Sequence, residues 1–321
     1  MADTESREYY TKVREALEPA AVSGNLPVVT TLIQEWKARQ SEPGPRDSRS
    51  KRSSGLSYYF HSALEGAMQN GHLEVVSYML EQGFKPTGDA VKFAVDAHSF
   101  QALEIFLKYG WDINKRWMQH RLSPIWYGFE FLSIHRFCDF VDEMRVENQA
   151  DNDSRVIIKD DLELVKWFLS HGASGHLEIN RHVDTTPLGL AARYASMEII
   201  QLLITEGGAK PEYGNVLLDV CRSKRSGRLE VLRFLLQQGA RPNELEHSGI
   251  PRVFQNLCSR GFPLGTPLHA TVENNKPALT KLLLEHGADR TIKDTNGRTP
   301  FDVAVELGMP EMIRLLDDSV T

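Results

Sequence analysis

Acid–base chemistry needs a carboxylate or an imidazole held beside the reacting atom, and the middle of this chain supplies such groups. They are Asp96, His98, His120, Glu130, His135 and Asp139. A second group, His171, His176 and His182 with Glu178 and Asp184, has the residue types of a metal site. No motif organises either group. Gly-x-Ser-x-Gly, the phosphate loop, Gly-x-Gly-x-x-Gly and His-Glu-x-x-His are all missing from the sequence. His171 stands before Gly172 as His286 stands before Gly287, a repeated structural slot rather than a ligand position. The expectation is therefore no catalytic residue, no metal and no cofactor.

Recognition chemistry is better represented. Four of the five tryptophans, Trp111, Trp117, Trp126 and Trp167, fall between positions 111 and 167. Trp117 is followed by His120 and flanked by Lys115, Arg116 and Arg121, a composition typical of binding hot spots. Trp111 and Trp167 occupy positions that packing explains, and both are expected in the core.

Bulk properties limit the partners. The 321 residues carry a formal net charge of -6, with 41% hydrophobic and 25% charged residues. That balance fits a folded chain and supplies no basic field for nucleic acid. The polar start MADTESREYY and the lack of a long apolar run argue against a signal peptide or a membrane span. Three cysteines, Cys138, Cys221 and Cys258, show no paired spacing, as in a reducing compartment. Cytoplasm or nucleus is expected.

The elements that position these residues repeat. An amphipathic segment recurs as LPVVTTLI (26–33), LEVVSYML (73–80), ALEIFLKYG (102–110), LELVKWFLSHGA (162–173) and MEIIQLLITEGGA (197–209). It returns as LEVLRFLLQQGA (229–240), ALTKLLLEHGA (278–288) and EMIRLLDD (311–318). The spacing predicts helices with one apolar face, six of them closed by Gly83, Gly110, Gly172, Gly208, Gly239 and Gly287. A shorter helix of small residues precedes each, most clearly TPLGLAARYAS (186–196), TPLHATVENNK (266–276) and TPFDVAVELG (299–308). Threonine caps its start, and proline fits the first turn. Thr266 and Thr299 lie 33 residues apart.

Helix, turn, helix, Gly-Ala, hairpin and Thr-Pro-Leu-His together resemble the ankyrin-repeat family, a match strongest in GADRTIKDTNGRTP (287–300). The wording of LEVLRFLLQQGARPN (229–243) is similar to stand-alone ankyrin proteins of filamentous fungi. The resemblance implies an all-α solenoid of eight helix-turn-helix units joined by β-hairpin loops, forming a single array over 1–321. The units fall near 11–40, 56–86, 87–121, 122–184, 185–213, 214–264, 265–297 and 298–321. It also implies that His269 hydrogen-bonds between adjacent loops, and that the charged end near Asp317 caps the stack.

Three stretches break the period. Residues 40–55 are Ser-, Gly-, Pro- and Arg-rich and read as a flexible linker loop; their basic run is an import signal, a phosphorylation site or simply solvated. The fourth unit carries an insertion, 132–159, amphipathic and then acidic, and places Trp126, Tyr127 and Phe129 where small residues are usual. A second surplus, 244–261, replaces a hairpin; each insertion is a tolerated loop or a contact element.

In the ankyrin family the concave face of hairpin tips and first helices usually takes the partner. The resemblance therefore implies a non-enzymatic scaffold or adaptor for another protein or peptide, acting as a monomer. The binding residues read from this face are Asp96, Trp117, His120, Trp126, Glu130, Phe131, Arg193, Tyr194 and Arg222. The alternative is a small-molecule or enzymatic pocket lined by aromatics between units three and five.

Overall fold

The protein was analysed as a computed structural model, which describes residues 2–41, 56–114, 160–175, 186–249 and 251–317. Among these residues every regular element is a helix and no strand occurs. The contacts divide into two compact bodies, Met1–His120 and Arg121–Thr321. The linker 40–55, apart from its first two residues, and the whole insertion 132–159 lie outside the described residues.

The first body contains α1 (Ala2–Val22), α2 (Leu26–Ser41), α3 (Leu56–Gln69), α4 (Leu73–Glu81), α5 (Gly88–Asp96) and α6 (Phe100–Lys108). Odd-numbered helices stack on one another, α1 on α3 and α3 on α5, while α2 meets α4. Each hairpin of helices therefore presents one layer to each neighbour. The core follows the apolar spacing: Leu17, Ala21, Leu64, Ala67, Ala94 and Val95 from the first layer, Val29, Ile33, Val76 and Met79 from the second. Trp111 is buried, as expected.

The second body begins with α7 (Leu162–Ser170) and continues through α8 (Pro187–Tyr194), α9 (Met197–Thr205), α10 (Val216–Arg222) and α11 (Arg228–Gln237). It ends with α12 (Pro251–Ser259), α13 (Pro267–Glu273), α14 (Pro277–Glu285), α15 (Pro300–Glu306) and α16 (Pro310–Leu316). The first layer runs α8, α10, α13, α15 and the second pairs α7 with α9, then α11 with α14 and α14 with α16. One helix pair leaves its apolar face open, so only stacking completes the core.

Local chemistry sets the ends. The hydroxyls of Thr186 and Thr299 accept from the N–H groups of Gly189 (3.1 Å) and Asp302 (3.2 Å), with proline next in each case. The six glycines that close the second helices all have φ between 67° and 100°, a region that side chains with a Cβ avoid. The surplus 244–261 is not merely a loop, because α12 forms inside it with Pro251 at its start and Leu257 buried.

Candidate functional site

The first helices of the second body end in charged and aromatic side chains that face their neighbours. Arg193, near the end of α8, lies with its guanidinium 5.5 Å from the ring centre of Tyr194 and 3.9 Å from Asp219 on α10. Asp219 reaches this place because residue 189 is glycine: a Cβ there would stand 2.5 Å from the Asp219 carboxylate. In the α13 repeat the same position holds His269, whose imidazole fills the space instead.

Arg222, the last residue of α10, makes a two-pronged contact with Glu246 through both carboxylate oxygens, the second at 2.7 Å. Such a fork fixes the guanidinium plane as well as its charge. Glu246 belongs to the 244–261 surplus and is buried; its N–H donates to the carbonyl of Gly265 at 3.0 Å. His247, at φ 59°, sets Nε2 3.5 Å from the same carboxylate. Burial pushes the His247 pKa down and Arg222 pushes the same way, against the pull of Glu246. Just beyond the surplus, Thr295 donates its hydroxyl to the carbonyl of Phe262 and accepts from the N–H of Leu264 at 2.8 Å.

A second set of polar groups lies at the turn between first and second helices. At the start of the second helix stands His72 in one repeat and Lys276 in another, each just before the helix, and Arg228 in a third, as its first residue. Each reaches back to carbonyls that end the preceding repeat's first helix. His72 Nε2–H donates to Val22 (2.9 Å), Arg228 to Ala192 and Ala195 (2.7 Å each), and Lys276 to Ser223. Those carbonyls have no partner within their own helix, so a cation there answers both the hydrogen bond and the helix dipole. Arg225 adds a donor to the carbonyl of Tyr194 and pairs with Asp160 at 2.6 Å. Burial pushes Asp160 up, but the N–H of Ser196 and the Arg225 guanidinium outweigh it and hold the carboxyl below its ordinary 3.8. Burial lowers the pKa of both Arg228 and Lys276. These groups hold the stack together, and sequence reasoning passed over them; the signal was the variable residue at the start of each second helix.

The expected site residues are distributed unevenly. Arg193, Tyr194 and Arg222 come together on consecutive first helices, and all three are half-buried rather than open. Arg222, read from the sequence as a binding residue, has its guanidinium taken up by Glu246. Asp96 ends α5 in the other body and is exposed. Trp117, His120, Trp126, Glu130 and Phe131 lie outside the described residues, as does the aromatic centre of the pocket reading.

Trp167 corrects another expectation. It is half-buried and stacks on His171 with ring centres 4.1 Å apart, rather than filling the core. His171 and His286 do share one structural role: Nδ1–H of each donates to the carbonyl four residues back, Trp167 at 2.8 Å and Leu282 at 3.0 Å. Of the proposed metal types around His171, the other four lie outside the described residues, among which no cluster suited to a metal occurs. His269 behaves as the family resemblance implied. Its Nδ1 accepts from the N–H of Thr266 (3.1 Å), so Nε2 carries the proton and donates to Arg298 of the next loop (3.0 Å). No helix among the described residues is long and apolar enough to cross a membrane.

Comparison with known proteins agrees with this architecture. The family model for ankyrin repeats (3 copies) matches residues 155–246 and 248–319. Ankyrin repeat protein nuc-2 of Neurospora crassa is 26% identical over 316 residues, 92% of this chain and 27% of that protein. Ankyrin repeat and SOCS box protein 11 of Danio rerio is 29% identical over 41% of this chain and 40% of its own length. Putative ankyrin repeat protein FPV031 of Fowlpox virus is 27% identical over 48% of this chain and 43% of its own length. The chain thus spans less than half the length of each of these relatives. With two-layered helix hairpins, threonine-capped first helices and the His269 loop-to-loop bond, this chain belongs to the ankyrin-repeat family.

Proposed function

We propose that the chain is a non-enzymatic scaffold that holds a protein or peptide partner along the first-helix face, centred in the second body on Arg193, Tyr194 and the Arg222–Glu246 pair. Ankyrin repeats generally mediate protein–protein interaction, and this reading gives that role an address. One observation carries it: the surplus 244–261, which the stack does not require, supplies the buried Glu246 that fixes Arg222 and is itself held by the Gly265 carbonyl. Side chains ordered before binding lose less entropy when a partner arrives, which favours affinity. Tyrosine and arginine are also the types most often found to dominate binding energy.

The test is affinity purification with the tagged full chain beside the double variant Arg193→Glu, Tyr194→Ala. Loss of the partner with an unchanged thermal melt is the expected result. Recovery of the same partner in the same amount would place the interaction elsewhere.

A further inference from the structure

Five residues, 223–227, join α10 to α11, where two join α8 to α9 and three join α13 to α14. The stack does not ask for the longer turn, which places exposed Lys224 and Arg225 between Arg222 and Arg228. Neighbouring repeats bring two more cations. Arg193 lies on one side, its carbonyl accepting from the Ser223 hydroxyl, and Lys276 donates to the Ser223 carbonyl from the other. Carboxylates meet three of these six charges: Asp219 at Arg193, Glu246 at Arg222 and Asp160 at Arg225. Arg228 and Lys276 hydrogen-bond to backbone carbonyls, and Lys224 to nothing among the described residues. A carbonyl satisfies a donor without cancelling its charge, and a helix end offsets only about half of one. The crowding is felt within the cluster. Burial lowers the Lys276 pKa first, and repulsion from Arg193 and Arg228 lowers it further, with Cys221 pulling the other way. Burial and then Arg225 act likewise on Arg228, against Asp160. Glu230 and Glu273 stand close by and still leave the balance positive, in a chain whose total is -6.

We propose that this patch, centred on Lys224 and Arg225, takes an acidic segment of the partner, a short run of Asp or Glu side chains. It extends the first-helix reading above and rests on it, since Arg193 and Arg222 belong to both surfaces. Charge complementarity selects the occupant. The carbonyl-bound cations Arg228 and Lys276 supply positive potential from within. Lys224 and Arg225 supply donors that reach solvent, the Arg225 side chain being 39% exposed. Such a field extends about 8–10 Å at physiological salt. A few carboxylates fit beneath it, whereas a long polyanion such as a nucleic acid would run on over a chain that is negative as a whole. Exposed charges of this kind steer and orient a partner more than they tighten it. The patch therefore aligns the partner, and the ordered Arg193, Tyr194 and Arg222 beside it hold it.

Fluorescence anisotropy of the full chain with a labelled peptide of alternating Glu and Ser tests the patch. The same peptide with Gln for Glu and a single-stranded oligonucleotide of equal length are the comparisons. Binding of the Glu peptide alone is expected, weakened about fivefold by Lys224→Glu and unchanged by Lys224→Arg. The thermal melt should not move, because Lys224 makes no contact in the fold. Equal binding of the Gln peptide, tighter binding of the oligonucleotide, or indifference to Lys224→Glu overturns the proposal. Should Lys224→Glu lower the melt, Lys224→Ala removes the charge without reversing it, and unweakened binding there overturns the proposal as well. Pull-down of the partner separates the two readings. If Arg193→Glu with Tyr194→Ala loses the partner while Lys224→Glu retains it in full, the first-helix surface stands and the acidic segment falls.

Discussion

Two junctions in the second body join neighbouring repeats by different chemistry. Between α13 and α15 the joint is the one the repeat pattern calls for. Neutral His269 bridges Thr266 and Arg298, and buried Asp294 accepts from the N–H of Asn296 and Arg298 (2.9 Å each) and from the Arg298 guanidinium (2.8–3.0 Å). Between α8 and α10 the imidazole is missing, and Gly189 makes room for Asp219. There the work passes to charges: Arg228 on the carbonyls of α8, Arg225 on Tyr194 and Asp160, and Arg222 on Glu246. The regular joint tolerates loss of the imidazole only if something else spans the repeats. The irregular one shows what that replacement looks like. It also places side chains at the first-helix face that a regular repeat would not put there.

Arg228 gives the sharpest way to break this contrast. It is 6% exposed and serves two carbonyls that would otherwise be buried without a donor. Arg228→Met is expected to cost about 3 kcal/mol, since hydrogen bonds to charged groups are worth more than neutral ones and two acceptors are orphaned. Urea unfolding followed by circular dichroism measures it. A loss below about 1 kcal/mol would mean that the charged joint is ornamental and that apolar stacking alone carries α8 on α10.

The imidazole joint is expected to be weaker and to respond to pH. His269→Ala removes one neutral bridge and should cost about 2 kcal/mol near neutrality. Burial, partly offset by the Arg298 carbonyl and Asp294, lowers the His269 pKa below its ordinary 6.5. The unfolded chain therefore binds the proton first. The stabilising effect is complete above 6.5 and is lost as pH falls through the lower folded value. His247 is shifted in the same direction and adds to the effect. Unfolding midpoints taken from pH 7.5 downward should fall more steeply for the wild-type chain than for His269→Ala. Parallel curves would remove His269 from the joint.

How much of this was legible depended on whether a residue's partner was close in sequence. The Thr-Pro starts, the closing glycines and the His269 slot all act within a few residues or one repeat length, so spacing exposed them. Trp167 was misplaced because helical periodicity gives the direction of the apolar face and not its width. Leu202 and Phe234, at the same place in their repeats, are half-buried too. The pairing of Arg222 did not show in the spacing because Glu246 lies 24 residues away, inside a stretch with no repeat register. Arg228 was invisible for another reason. A cation at the start of a helix reads as solvated surface unless the carbonyls of the preceding repeat are known to end beside it.

The smallest expected effect concerns the edge of the charged joint. Asp160 accepts from the N–H of Ser196 through one oxygen and pairs with Arg225 through the other, in a place where both side chains are partly exposed. Asp160→Asn keeps an oxygen for Ser196 and removes the charge facing Arg225. The expected cost is about 0.5 kcal/mol, the scale of a solvent-screened ion pair. Its dependence on conditions is more informative than its size. Asp160 is held below 3.8, so its contribution is present above that value and disappears as pH falls through the lower folded one. Salt should shrink it as well, because exposed pairs are screened. The Arg228 effect should survive the same salt, its acceptors being buried carbonyls. If high salt weakened both equally, the joint between α8 and α10 would be a diffuse charge effect, and the distinction between its buried and exposed parts would fall.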